Sequence, residues 1–431
     1  MIGSWASLAR NRNFLRIWLG TGLSAVGDSA YFILLSWYVV TTSGSSLAVG
    51  TTLALTAVPR LVLMMVGGVL ADRMSRRVLL TGSLALRCAI LIAFTLTGLG
   101  HGLVPVYATA LAFGLVDAFF WPASGSVLPD VLPAEQLGRG NGVVQTTQQA
   151  SMVSGPLTAT LLLWLPGAWV RFDTLAAIYL ASAFILAGLA IAPRPRLGRI
   201  RDNPLGDVAA GLRYVSGVPI LLILMGISAL FNFFFAGPLN VGLPLLVHQR
   251  QWPGSDFGYF TAAVGVGGVL GGVLAALANG MRGRFRWFGP IAASLGVSLG
   301  LVGVLPLRLF DVVLLLAVGI GLSVITIPIN SYLQTVVDPE YLGRTMALLT
   351  VSSLGLTPVS YVTLSLLVHW NAVPLSRLVL VGGLLLGAVS LMLSLLPPFR
   401  RMEQHPRWVL AGQTGRAKSP PSAELEPVQH P

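Results

Sequence analysis

Twelve apolar stretches, most of about 20 residues or longer, run almost end to end through this chain: residues 15–40, 46–70, 78–98, 103–124, 139–165, 174–192, 219–246, 257–279, 287–306, 311–333, 342–369 and 376–397. About 20 such residues suffice to cross the hydrocarbon core of a bilayer as a helix. Water is excluded as the main solvent by composition. Only 10% of the 431 residues are charged, against about 25% in a soluble domain. The sequence therefore predicts an all-α membrane protein with twelve transmembrane helices. Gly and Pro within the spans do not argue against this, because neighbouring helices re-satisfy freed backbone groups in a membrane.

The net charge of +12 would suit a nucleic-acid partner if it were spread over a face. It falls instead in short arginine clusters between apolar runs, which is a topology signal. With the N-terminus placed in the cytoplasm, 21 of the 27 Lys and Arg residues fall on the cytoplasmic side. The opposite side receives only Arg171, Arg250, Arg308 and Arg377, and Arg60 and Arg87 stay inside helices. An even number of spans with both ends inside is expected. Arg10, Arg12 and Arg16 precede a long first run without a small-residue cleavage site, so an uncleaved first helix is expected. The arginine-rich composition suggests a bacterial chain, hence the cytoplasmic (inner) membrane. No nucleic acid, cofactor or metal is expected: there is no Gly-rich phosphate loop, no Cys or His cluster and no nucleophile beside a base. The single cysteine, Cys88, lies within a span.

The chain repeats itself at half its length. Leu70-Ala71-Asp72-Arg73-Met74-Ser75-Arg76-Arg77 aligns with Leu277-Ala278-Asn279-Gly280-Met281-Arg282-Gly283-Arg284, and Pro122 aligns with Pro328. Residues 133–139 align with 339–344, with one residue deleted. Parallel repeats of six helices predict two pseudo-symmetric six-helix bundles around a central passage. The expected division is an N-terminal half (1–193), a cytoplasmic linker with an amphipathic helix (194–218), a C-terminal half (219–399) and a polar, Pro-rich, disordered tail (400–431).

The loop after the second span resembles the signature of the major facilitator superfamily: Gly, three residues, Asp-Arg, any residue, Gly, then Arg and a basic residue. Gly68, Asp72, Arg73, Arg76 and Arg77 match, and Ser75 replaces the second Gly. The resemblance covers about residues 10–400. It implies that this cluster latches the halves in an outward-facing state, with Asp72 meeting the start of helix 11 near Gly343-Arg344. In physical terms Gly68 permits close helix approach, and a carboxylate such as Asp72 suits a helix N-terminus. Gly155-Pro156 in helix 5 resembles the superfamily's exporter motif, and a bend is expected there. Gly27-Asp28 and the stretch Asp117 to Ala123 resemble the branch containing siderophore and macrolide exporters. The implied function is proton-coupled efflux of an amphipathic small molecule by a monomer. Proton-coupled metabolite uptake, or a non-transporting sensor or scaffold, are the alternatives.

Four ionisable residues fall within the first-half spans: Asp28, Arg60, Arg87 and Asp117. Each costs about 2.5–3.5 kcal/mol at a helix centre on insertion scales, so pairing or a wet cavity is expected. Asp28 lies about 21 Å along helix 1 at 1.5 Å per residue, near the midplane. It is the candidate proton-coupling or cation site; the competing reading is a structural Asp bonded to a neighbouring helix. Asp117 and Arg87 are expected to pair. Arg60 could bind an anionic substrate group or neutralise Asp28. Tyr31, Arg60, Asp117 and Asn232, with Asp28, are the candidate substrate-cavity residues. Trp37, Tyr38 and Trp121, near helix ends, fit an interfacial belt.

Overall fold

The computed structural model describes residues 8, 10–190, 213–278, 285–370, 373–405 and 407–409, without the side chains of 64–73, 134, 339–340, 342–344, 347 and 398. The chain is helical throughout this range. The first half comprises α1 (Arg12–Ser43), α2 (Ser46–Arg73), α3 (Arg76–Thr97), α4 (Leu103–Ser126), α5 (Ala134–Trp164) and α6 (Ala168–Ala187). The second comprises α7 (Pro219–Gln249), α8 (Gly254–Leu277), α9 (Phe288–Leu301), α10 (Arg308–Val336), α11 (Pro339–Gly355 and Thr357–His369) and α12 (Leu375–Ser394).

Ten helices among the described residues are long and apolar enough to cross a membrane. The other two are α5 and α9. α5 has 31 residues but carries the polar run Arg139 to Gln149. α9 has only 14 residues, about 21 Å, because the chain turns at Val302 and adopts φ +87° at Gly303, a conformation that favours glycine. α6 begins six residues before the apolar count placed it. Its early charges are satisfied: Arg171 donates to the Leu165 carbonyl (3.0 Å) and Asp173 accepts from Thr95 (2.8 Å). α7 passes through a π-helical turn at Pro238–Gly242, and α11 breaks at Leu356, ahead of Pro358.

The packing repeats with the sequence. Within the first bundle α1 packs on α5 and α6, α2 on α4, and α3 on α4 and α6. The second shows the same pattern six helices on: α7 on α11 and α12, α8 on α10, and α9 on α10 and α12. Two pairs make most of the contact between the bundles, α2 with α11 and α5 with α8, and these are each other's symmetry mates; α1 adds smaller contacts with α7 and α8. The side on which α1 begins is called the near side below, and the side on which it ends the far side.

The bundles meet mainly on the far side. Ser46 donates to the Ser365 carbonyl (3.0 Å), and Trp37 abuts His248 at 6.2 Å between centroids. Glycines make this seam: a Cβ at Gly50 would overlap Ser365, one at Gly258 would overlap Thr160, and one at Gly265 would overlap the Met152 carbonyl. One buried core runs from the first bundle into the far ends of α7, α8, α11 and α12, whereas a second is confined to the near end of the second bundle. Trp37 is thus part of the seam rather than an interfacial anchor, because Gly254 makes room for its ring. Tyr38 packs edge-on to Phe94 and Phe172, and its hydroxyl accepts from the Gly100 N–H at 3.2 Å.

Of the expected linker helix, residues 213–216 are helical, and 194–212 lie outside the described residues. At the other end, packing continues past Arg400. Met402 and Trp408 are buried. Trp408 sits 5.4 Å from Tyr332 and 5.6 Å from Phe285. Arg407 bridges the Val336 carbonyl (3.0 Å) and Asp338 (2.5 Å). Two apolar side chains in an otherwise polar segment, with the Arg407 bridge, seat it on the second bundle.

Candidate functional site

Close approach at glycine builds the centre of the first bundle. A Cβ at Gly27 would lie 3.2 Å from the Tyr179 ring. Its absence lets the Tyr179 hydroxyl of α6 donate to Asp28 Oδ1 at 2.8 Å. Arg87 of α3 donates to the same oxygen at 2.8 Å and to Ser24 Oγ at 3.2 Å. The other Arg87 nitrogen donates to Asp117 Oδ1 of α4. The expected Arg87–Asp117 pair is therefore present, and Asp28 shares its arginine. Arg60 of α2 stands 4.0 Å from the second Asp117 oxygen, so among the two acids it neighbours Asp117 rather than Asp28.

Two arginines face two carboxylates, and the formal charge of the cluster is zero. Arg87 is fully buried between the rings of Phe120 (4.5 Å) and Tyr179 (5.5 Å), where an aromatic face adds to the stabilisation of a desolvated cation. Exposure grades across the cluster. The side chains of Arg87, Asp117, Asp28 and Arg60 are 0%, 5%, 14% and 30% exposed. Arg60 is thus the accessible end, with its guanidinium 5.3 Å from the centre of the Trp121 ring. Trp121 belongs to this site and not to an interfacial belt.

The remaining candidates divide. Tyr31 is buried and stacks on Phe113 at 3.9 Å, and Phe113 in turn meets Tyr179 at 5.9 Å. It closes the cluster from one side rather than lining open space. Asn232 lies on α7 in the other bundle and donates to the Ser228 carbonyl at 3.0 Å. Arg76 pairs with Asp130, just after α4, and Arg77 is exposed. The side chains of Gly68, Asp72, Arg73 and Arg344 lie outside those described. α5 continues as one helix through Gly155 and Pro156. A Cβ at Gly155 would overlap Ser29 and lie 3.2 Å from the Val26 carbonyl. The Gly-Pro pair thus brings α5 against α1 at the level of Asp28.

Two members of the cluster escaped sequence reasoning. Ser24 lies one turn before Asp28 on the same face of α1 and was findable by helical spacing. Tyr179 is an isolated tyrosine in an apolar helix, with no signal before the fold brings it in.

Towards the near side the space between the bundles opens. The interior face of α5 reads Asn141, Gln145, Gln148, Met152 and Ala159 at helical spacing. Ala159 is buried, whereas Met152, Gln145 and Asn141 are exposed. The opposite exposed residues, Leu157, Leu161 and Trp164, are apolar and suit lipid. A Cβ added at Gly138 or Gly142 would meet nothing within 4 Å. The exposed polar residues of α5 thus lie on the side away from Leu157, Leu161 and Trp164.

Two far-side arginines join Arg171 in being tethered. Arg250 pairs with Asp311 (3.1 Å) and Arg308 with Asp256 (3.2 Å), and both stack on Trp252 at 4.8 and 5.3 Å.

Known proteins resemble this chain in sequence or in fold. Macrolide efflux protein A of Streptococcus pyogenes is 25% identical over 407 residues, covering 90% of this chain and 97% of that protein. Enterobactin exporter EntS of Escherichia coli O127:H6 is 28% identical over 325 residues, covering 72% and 74%. Among solved structures, nucleoside transporter NupG superposes with a TM-score of 0.67 at 11% identity, covering 90% and 98% of the two chains. A bacterial homologue of the human lysosomal transporter Spinster, in an inward-facing unoccupied conformation, gives 0.65 at 14% identity, covering 96% and 99%. A family model described as Major Facilitator Superfamily matches residues 17–358, well over half of the sequence, and the chain belongs to that superfamily.

Proposed function

We propose that this transporter exports an amphipathic small molecule from the bacterial cytoplasm in exchange for protons, by alternating access. The observation that carries the reading is the Arg87-centred cluster, a formally neutral set of two acids and two arginines buried in lipid-embedded helices. Macrolides and enterobactin, in the names of the relatives above, support export as the direction. The arginine asymmetry supports a cytoplasmic near side with both termini inside, so the opening beside α5 faces the cell interior. The protein is read as a monomer.

The cluster supplies a coupling device. With both carboxylates ionised its charges balance. One proton, taken at Asp28, leaves an excess positive charge in a low-dielectric interior, where it is strongly disfavoured. Arg60, the most exposed member, relieves it by turning towards the cavity. Proton occupancy thereby sets the charge that the substrate meets. The halves, 1–193 and 219–399, rock about this centre with 194–218 as their tether. Gly68, Asp72, Arg73, Arg76 and Arg77 hold the outward-facing state, and the cavity draws on Asp28, Arg60, Asp117 and Asn232, with Tyr31 packed behind them. The Asp28→Asn variant, reconstituted in proteoliposomes, is expected to bind substrate yet show no substrate-driven proton movement. Coupling equal to that of the parent protein would overturn the role of Asp28.

A further inference from the structure

We propose that the amide face of α5, formed by Asn141, Gln145, Gln148 and Gln149, selects substrates rich in uncharged oxygen groups: hydroxyls, esters and amide carbonyls. The inference rests on the export reading and adds a substrate class to it.

Four carboxamides within nine residues are unusual in a membrane-embedded helix. None of their side chains has a hydrogen-bond partner, while neighbouring Thr146, Thr147, Ser151 and Ser154 all donate to backbone carbonyls of their own helix. An unpaired amide in hydrocarbon costs several kcal/mol, so these groups face water or a ligand. Helical spacing places Asn141, Gln145 and Gln148 on the interior face with Met152, away from the lipid-facing Leu157 and Leu161. Gln149 lies beside them, on the face that meets α8 further up. The row ends about 10 Å below Gly155 at 1.5 Å per residue, the level at which α5 touches α1 beside Asp28. It forms one wall of the approach to the charged cluster.

The wall is neutral. From Gly140 to Trp164 α5 carries no Asp, Glu, Lys or Arg. Each carboxamide offers two donors and an acceptor, a set that matches alternating hydroxyl and carbonyl groups and gains nothing from a point charge. A ligand that displaces water without replacing its hydrogen bonds leaves these groups unpaired. A site of this kind discriminates against analogues that lack the matching oxygens far better than an apolar wall does.

The test uses erythromycin, a hydroxyl- and ester-rich macrolide, with full-length protein in liposomes. The Gln145→Leu/Gln148→Leu variant preserves size and helix propensity and should transport it about tenfold or more slowly, one lost hydrogen bond of about 1.4 kcal/mol being worth that factor. The Gln145→Asn/Gln148→Asn variant keeps the amides and should retain most of the rate. Equal loss in both pairs, or no loss in the leucine pair, overturns the assignment. A second measurement does not depend on turnover. Cysteine placed by Gln145→Cys should react with a water-soluble maleimide, and saturating erythromycin should slow that reaction several-fold; an unchanged rate overturns the proposal. Protection without any flux in the parent protein would retract export while leaving this binding wall in place.

Discussion

Replacing Arg87 tests the charge balance directly. In Arg87→Met the aliphatic stem is preserved and the guanidinium removed. Asp28 and Asp117 then lose their shared partner, and Arg60 at 4.0 Å from Asp117 is the remaining cation. Removing one partner of a buried ion pair costs about 3–5 kcal/mol. Each kcal/mol shifts the melting temperature by about 1–2 °C in a chain of 431 residues, extrapolating the size dependence for smaller proteins. The expected drop is about 3–10 °C, read by intrinsic fluorescence in detergent. The same substitution in an Asp28→Asn/Asp117→Asn background should have the opposite sign. There Arg87 is an uncompensated buried cation, and its removal should be neutral or stabilising. An equal loss in both backgrounds would show that Arg87 contributes packing rather than charge compensation, and would refute the reasoning.

Two further perturbations follow from the seam and the tail. Gly50→Leu places a side chain where Ser365 and the Tyr361 carbonyl stand, so far-side closure should fail while each bundle stays folded; cysteines introduced near Ser46 should become labelled from outside as transport stops, and normal labelling would refute this. Hydrogen bonds from Arg407 and then Tyr214 hold the Asp338 carboxyl below its ordinary value of 3.8. A depressed carboxylate contributes stability above its unfolded value and loses it as pH falls through the folded one. The Asp338 contribution to tail docking should therefore be constant between about pH 5 and 8 and weaken only in stronger acid, whereas His405, whose pKa burial and then Arg407 lower from 6.5, weakens docking as pH falls below that value. Arg407→Ala should raise amide exchange across residues 402–409 at neutral pH, and unchanged exchange would count against the tether.

Much of this architecture could be read from the residues because a bilayer permits few alternatives. The span of each apolar run, the repeat of Leu70 to Arg77 at Leu277 to Arg284 and the arginine asymmetry each reflect local composition. What required the fold was depth and facing. Asp28, Arg87 and Asp117 are visible as intramembrane charges, but nothing in one dimension says that a single arginine serves two acids, or that Tyr179 completes the set. Trp37 and Trp121 illustrate the same limit. Distance from a helix end suggests an interfacial belt, yet Gly254 and Arg60, remote in sequence, decide where those rings go. The 139–165 run reads as one more span, and only the fold shows which side of it the amides take. The packed residues after Arg400 were hidden by their Pro-rich, polar surroundings.

Where the helices touch, the far-side seam sets glycine against serine, threonine and backbone, yet one apolar core also runs through it, Trp37, Phe257, Phe260 and Leu364 included. Parting it therefore wets oily side chains as well as hydroxyl groups. Release from the shut form is uphill by the area so exposed. A proton or a solute can drive it only by holding more tightly to the open form than to the shut one.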